Sequence, residues 1–236
     1  MSAILIAPPS SIYDALFDGS SPRVIAAVGG GGKTTFLKTL AKELSDRGAR
    51  VVITTTTKMH PPEDLSILGG TADEVISLLN THPIVWAGTP MSEGKMTAIP
   101  DSLPRLTAVA DFVLVEADGS RKRPLKMTDS AYEPSIPPEA DTVVALAGLD
   151  GLGKPVRDAV HRHALACPIL EKPENSPVTS EDVARLLRHC YHPRFVLLNK
   201  ADTPALQEDA RRIASLLSES RCVIASLRLW GQAETR

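Results

Sequence analysis

The chain predicts an α/β protein with a mostly parallel sheet flanked by helices, of the P-loop NTPase class, and three observations carry that expectation. Short apolar runs alternate with amphipathic stretches along its 236 residues, the pattern of strands buried on both faces and linked by helical crossovers. The first strong run leads into Gly29, Gly30, Gly31 and Gly32, then Lys33, Thr34 and Thr35, and then a helical period. A later apolar run ends in Asn199-Lys200-Ala201-Asp202.

In chain order, residues 3–7 read as a short edge strand and 11–17 as a turn or two of helix. Residues 23–28 are the first central strand. The next helix puts Phe36, Leu37, Leu40, Ala41 and Leu44 on one face and stops near Arg47-Gly48, a basic residue and a glycine. Residues 50–54 form a second strand, leading into a polar threonine tract that ends at Pro61-Pro62. Val75, Ile76 and Leu79 give residues 71–80 helical spacing. Residues 84–87 read as a strand, with 95–99 as its hairpin partner, and 101–110 as a weak helix. Residues 112–116 are a third central strand, 118–138 a long functional loop, and 142–147 another buried strand ending in the glycine-rich stretch 148–153. Residues 155–166 are expected to be helical, with Pro155 in the first turn where its missing N–H costs little. Cap chemistry at Thr179-Ser180-Glu181-Asp182 opens a helix that buries Val183, Leu186, Leu187 and Cys190. Residues 195–198 and 221–225 are the last strands, with Leu206, Ala210, Ile213 and Leu217 on a helix between them.

Composition narrows the function classes. Hydrophobic content of 43% and charged content of 23% are ordinary for a soluble globular chain. A net charge of −2 supplies no basic field for nucleic acid or anionic membrane, and no apolar run approaches the length of a membrane span. The short apolar run at the N-terminus has no basic residue before it, so it does not read as a secretory signal. Cys167, Cys190 and Cys222 are far apart with no C-x-x-C pair, which fits a reducing, cytoplasmic setting. The length suits a single nucleotide-binding domain over 1–236, with a proline-rich insertion around 83–138.

The glycine run is the chemical centre. Glycines let backbone N–H groups turn around phosphate oxygens, and the following helix offers its positive N-terminus to the same anion. Lys33 would reach the β- and γ-phosphates, and the Thr34 hydroxyl would bind Mg²⁺. The usual G-x-x-x-x-G-K-[ST] pattern places its first glycine where this chain has Ala27, so a variant loop is expected, with the turn supplied by Gly29, Gly30 and Gly31. The competing reading is a glycine-rich turn with a surface lysine.

Asn199-Lys200-Ala201-Asp202 matches N-K-x-D, in which the aspartate accepts from the guanine N1–H and 2-amino groups, a donor pair adenine lacks. The lysine stem lies along the purine and the asparagine ties the loop. This favours GTP over ATP; the competing reading is a helix cap at Asp202-Thr203-Pro204. Ala225-Ser226 falls where a second base-contacting loop is expected. Glu116 and Asp118, at the end of the third central strand, are placed to hold Mg²⁺ and, with Lys33, to serve catalysis; the competing reading is a solvated turn with two carboxylates. Arg121, Lys122, Arg123 and Lys126 follow, either touching an anionic ligand or forming a solvated loop. Lys58 is a further phosphate candidate, and Thr56 or Thr57 a further Mg²⁺ contact. Neither His189/His192 nor His161/His163 has the spacing of a four-ligand zinc site.

Several stretches together resemble the YqeC family of accessory proteins for selenium-dependent molybdenum hydroxylases. They are the G-G-G-G-K-T-T of residues 29–35, T-T-T-T-K-M of 54–59, E-A-D-G-S-R of 116–121 and P-L-K of 124–126. The E-P-x-I-P of 133–137, G-L-D-G-L-G-K-P of 148–155, His161-Arg162 and N-K-A-D of 199–202 complete the set. Tyr132 stands where many members are expected to carry histidine. The resemblance covers nearly the whole chain. It implies a cytosolic P-loop protein of the class that includes metallochaperone GTPases, and a protein partner in hydroxylase maturation. The extra loop lysine of ATP-dependent metallochaperones is replaced by Val28. Three activities stay open: a slow GTPase, a kinase or nucleotidylyltransferase acting on a small cofactor-like acceptor, and a non-catalytic nucleotide-gated scaffold.

Overall fold

The structure, a computed structural model, describes residues 3–59, 61, 68–100, 102–129, 131 and 133–233, with backbone only at Glu93 and 231–233. The end of the threonine tract at His60 and Pro62, the helix start at Asp101 and the departure at Tyr132 lie outside the described residues.

The strands are β1 (Ile4–Leu5), β2 (Val24–Gly29), β3 (Val51–Thr55), β4 (Leu68–Gly69), β5 (Ile84–Ala87), β6 (Thr89–Pro90), β7 (Met96–Thr97), β8 (Phe112–Glu116), β9 (Leu125–Lys126), β10 (Thr142–Gly148), β11 (Val160–His161), β12 (Phe195–Asn199) and β13 (Arg221–Ile224). The helices are α1 (Ile12–Phe17), α2 (Lys33–Asp46), α3 (Ala72–Leu78), α4 (Leu103–Val109), α5 (Val156–Ala159), α6 (His163–Leu170), α7 (Ser180–Tyr191), α8 (Pro204–Leu216) and α9 (Arg228–Ala233). Among the described residues, nine strands join one sheet in the order β1-β13-β12-β10-β2-β8-β3-β5-β4. All its pairings are parallel. The fold is therefore the mostly parallel, helix-flanked sheet that the alternating pattern predicts.

Alternation along β2 shows why its sequence is apolar throughout. Val24, Ala26 and Val28 join the core under α3, α4, α7 and α8, while Ile25 and Ala27 face the core under α1 and α2. Each face is covered, so a polar residue at any of these positions would be stranded without water. Residues 83–138 supply two strands of this sheet, β5 and β8.

Two local expectations are corrected. The hairpin partner of β7 is β6, not β5, because β5 is already paired on both edges, with β3 and β4. Residues 155–166 do not form one helix. Val160 and His161 extend to pair with Leu125 and Lys126, and Arg162 takes a left-handed φ of 61° before α6 begins. That pairing is non-local, so helical periodicity within the segment gives no sign of it.

With all strands parallel, their carboxyl ends share one edge, the usual place for ligands in such sheets. Register sets the site at that edge. Glu116 lies opposite both Ala27 and Thr55, Gly29 opposite Leu146, and Gly148 opposite Asn199.

Candidate functional site

The glycine loop forms where β2 hands over to α2. Ala27 is fully buried inside the strand, so the turn starts two residues later and needs no glycine at that position. Gly31 has φ +80°, and a Cβ there would sit 2.2 Å from the Gly148 nitrogen. A Cβ on Gly30 would come within 2.7 Å of the Arg123 carbonyl oxygen. The loop is thus clamped between the end of β10 and the Arg123-Pro124 segment, and side chains are excluded there.

Three of the glycine N–H groups are directed at protein acceptors. Gly29 donates to Asp118 Oδ2 (2.9 Å), Gly30 to the Leu146 carbonyl (3.0 Å) and Gly31 to the Arg123 carbonyl (3.1 Å). The first helical bond runs from Phe36 N–H to the Gly32 carbonyl, so the N–H groups of Lys33, Thr34 and Thr35 have no acceptor within α2. Those donors and the helix dipole point at the loop mouth and are the groups fitted to an anion.

Lys33 is buried. Its ammonium donates to the Gly29 carbonyl (2.7 Å) and lies 3.1 Å from Asp118 Oδ1 and 3.9 Å from Glu116 Oε1. Asp118 Oδ1, itself fully buried, meets Lys33 as an ion pair without a well-aligned hydrogen bond. Thr34 Oγ1 donates to Glu116 Oε2 at 2.7 Å. Burial pushes the Glu116 carboxyl above its ordinary range, and Lys33 and Thr34 pull against that shift. Thr34, Glu116 and Asp118 thus cluster around the Lys33 ammonium. Their donor set of one hydroxyl and two carboxylates suits Mg²⁺, which completes its shell with water and phosphate oxygens. Among the described residues there is no group of three or more His, Cys, Asp and Glu side chains able to hold a metal without such help.

Behind Asp118 lies a second charged cluster. Asp118 Oδ2 accepts from the Tyr191 hydroxyl (3.0 Å) and pairs with Lys126 Nζ (3.2 Å). Lys126 also donates to the Gly119 carbonyl (2.7 Å) and forms an ion pair with Glu133 Oε2 (2.6 Å), and Glu133 faces Arg162 Nη1 at 3.4 Å. Burial, and then Asp118, raise the Tyr191 hydroxyl well above its ordinary pKa, keeping it a donor. Burial lowers His161 to about 4, helped by Lys126, Arg162 and Arg121. The basic run of residues 121–126 therefore divides: Lys126 points inward, while Arg121 and Lys122 are exposed with positive φ.

The other end of this edge is built around Asn199. Its Nδ2 donates to the Gly31 carbonyl (2.8 Å), and its Oδ1 accepts from Lys200 N–H (2.7 Å) and Leu227 N–H (3.1 Å). One side chain thus fixes the glycine loop to both loops beyond β12 and β13. Asp202 Oδ1 accepts from Ser226 Oγ and meets Arg228 Nε at 3.0 Å. Burial would raise the Asp202 carboxyl, but Ser226 and Arg228 outweigh it and lower it. Lys200 Nζ bonds Asp150 Oδ2 at 2.9 Å.

The threonine tract ends at the same edge. Thr55 Oγ1 donates to the Glu116 carbonyl (2.9 Å) and Thr56 Oγ1 to the Ser135 carbonyl (2.6 Å), while Lys58 is exposed. Sequence reasoning missed Tyr191, Asp150 and the mutual pairing of Lys126 with Glu133. Lys126 and Glu133 lie within two of the stretches that carry the family resemblance, and that signal points to them. Tyr191 sits between His189 and His192, which drew attention instead.

Comparison with known proteins follows the same residues. The family model described as YqeC protein matches residues 25–164. The uncharacterized protein YqeC of Escherichia coli (strain K12) is 33% identical over 192 residues, covering 78% of this chain and 75% of its own. Among solved structures, the signal recognition particle 54 kDa protein of Aeropyrum pernix K1, in complex with GDP, aligns at TM-score 0.46 and 14% identity. That alignment covers 97% of this chain, which spans only half of that protein's length. HypB of Helicobacter pylori, in complex with nickel, aligns at TM-score 0.42 and 13% identity over 90% of this chain and 84% of its own. The stretches from the glycine loop through Glu116, Asp118 and Glu133 to Arg162 all fall inside the matched segment, and the chain belongs to the YqeC family.

Proposed function

We propose that this protein binds a Mg²⁺–guanine nucleotide at the sheet edge and acts as a slow, nucleotide-dependent accessory protein in maturing a selenium-dependent molybdenum hydroxylase. The observation that carries the nucleotide reading is convergence. Lys33, Thr34, Glu116 and Asp118 meet at one end of the glycine loop, and Asn199 ties that loop to Lys200 and Leu227, in the loops that carry Asp202 and its partners Ser226 and Arg228. The N–H groups of Lys33, Thr34 and Thr35 bind phosphate, Lys33 neutralises it, and Thr34, Glu116 and Asp118 hold the metal. Bound Mg²⁺ supplies charge neutralisation on the phosphate oxygens. Asp202 reads the guanine edge, and Asn199 keeps phosphate and base ends at a fixed separation.

The accessory role and its partner rest on the family resemblance. Loop 118–138 is the surface through which nucleotide state reaches the partner, since it is anchored to Asp118, the carboxylate that also holds Lys33. Limited proteolysis tests this: a non-hydrolysable GTP analogue with Mg²⁺ protects the loop, and its absence exposes it to cleavage. Equal cleavage in both conditions, with equal affinity for the maturation partner, defeats the switch.

A transferase reading keeps one observation in its favour. A cavity of about 330 Å³ lined by Thr54, Thr55, Ile99, Leu103 and Pro137 adjoins the Glu116 edge and is large enough for a small acceptor. Product analysis separates the two, since a modified acceptor in place of GDP and phosphate supports transfer.

A further inference from the structure

The carboxylate that reads guanine in the proposal above is occupied by a guanidinium. Arg228 Nε lies 3.0 Å from Asp202 Oδ1. Guanine's N1–H and 2-amino edge is itself a cyclic guanidine, so arginine and guanine offer a carboxylate the same planar pair of N–H donors. A base that pairs with both carboxylate oxygens would need the Oδ1 oxygen that Arg228 Nε already meets.

The backbone around Arg228 is held independently of that contact. Leu227 N–H donates to Asn199 Oδ1 (3.1 Å), Ala201 N–H to the Ala225 carbonyl (3.1 Å) and Leu229 N–H to the Ser226 carbonyl (2.9 Å). Only the side chain has to move for the carboxylate to change partners, and at 59% exposure it is free to do so. Room exists beside it. Arg228 lines a cavity of about 470 Å³ together with Thr35, Lys38, Trp86, Leu227 and Trp230. Thr35 belongs to the first turn of α2, so this cavity adjoins the phosphate end of the site as well as the base end. Trp86 and Trp230 are the chain's two tryptophans, and both border it.

We propose that Arg228 is an internal mimic of guanine that competes with the nucleotide base for Asp202, setting guanine affinity and moving into the tryptophan-lined cavity when the base binds. The inference rests on the guanine reading of Asp202. It makes Arg228 a specificity-determining residue: exchange of guanidinium for guanine leaves the carboxylate paired, whereas adenine, lacking the N1–H and 2-amino donors, would displace the arginine and leave Asp202 without a replacement.

The test is calorimetric titration of GDP into the full chain and into Arg228→Ala, Arg228→Gln and Asp202→Asn. Removing an exposed competing ion pair raises GDP affinity by roughly two- to fivefold in both Arg228 variants. The gap from wild type narrows as salt screens the pair. In a Trp86→Phe background, GDP changes Trp230 fluorescence, and Arg228→Ala diminishes that change. Unchanged or weaker GDP binding by both Arg228 variants, with Asp202→Asn still impaired, overturns the mimic and leaves the guanine reading standing. GDP binding by Asp202→Asn equal to that of wild type overturns both.

Discussion

Lys33 Nζ lies 3.1 Å from Asp118 Oδ1, and Lys126 pairs with the other oxygen of the same carboxylate at 3.2 Å. One buried anion therefore stands between the lysine of the glycine loop and the lysine that anchors loop 118–138. A phosphate that draws Lys33 away leaves Asp118 to Lys126, Tyr191 and Gly29 N–H. On the proposed nucleotide reading, a charge drawn to Lys33 would be felt at Glu133 and Arg162 through contact rather than through a distant field.

Lys33→Ala weakens triphosphate binding by roughly ten- to several-hundredfold, the worth of a lost charge-assisted phosphate contact. It also lowers stability, by less than the about 3–5 kcal/mol of a fully orphaned buried charge, because Lys126 still compensates Asp118. Titration and urea unfolding measure the two effects. Undiminished Mg²⁺–nucleotide affinity in the folded variant removes Lys33 from the site.

Glu116→Gln and Asp118→Asn separate. Glu116 accepts a hydrogen bond from Thr34, the hydroxyl proposed to bind Mg²⁺, so its amide is predicted to lose Mg²⁺-dependent affinity. Asp118 accepts from Gly29 N–H and Tyr191 and pairs with two lysines, so its amide loses stability and turnover. Identical Mg²⁺ titrations for both variants and wild type place the metal elsewhere.

Asn199→Ala removes three hydrogen bonds that bridge Gly31, Lys200 and Leu227. The expected cost is about 1–3 kcal/mol of stability, with a loss of nucleotide affinity in addition. Asp202→Asn weakens GTP and improves xanthosine triphosphate, since an amide offers one donor and one acceptor. A competition assay with the two nucleotides shows whether the preference moves.

These residues also show how far the sequence could be read. Strand and helix order was legible because burial on both faces of a parallel sheet leaves apolar runs, as in β2 and β12. The meeting of Lys33, Thr34, Glu116 and Asn199 at one sheet edge was legible because a glycine turn and polar residues ending apolar runs fall together at the carboxyl ends of parallel strands. The Val160–His161 pairing, the inward turn of Lys126 and the Tyr191–Asp118 bond were not. The first and last join residues separated by dozens of positions, and the contacts of Lys126 with Asp118, Gly119 and Glu133 form within an irregular loop, so local periodicity encodes none of them. The base-site contact of Arg228 was hidden for the same reason, its side chain meeting Asp202 across two loops.

His161 sets a pH dependence. Its folded pKa of about 4 lies below the ordinary 6.5, so on acidification the unfolded chain takes a proton that the folded chain refuses. The stability that neutral His161 contributes is present above pH 6.5 and is lost as pH falls from about 6.5 to about 4. His161→Gln therefore loses less stability than wild type across that window. Thermal melts at stepped pH compare the two, and parallel curves contradict the assignment.

The central claim is that the glycine loop and Asp202 serve one Mg²⁺–guanine nucleotide. Calorimetric titration of GTP and ATP, each with Mg²⁺, into wild type and Lys33→Ala tests it most directly. The account predicts tighter binding of GTP than of ATP by wild type and loss of that binding in the variant. ATP binding more tightly than GTP, or GTP binding unaffected by the loss of Lys33, contradicts it.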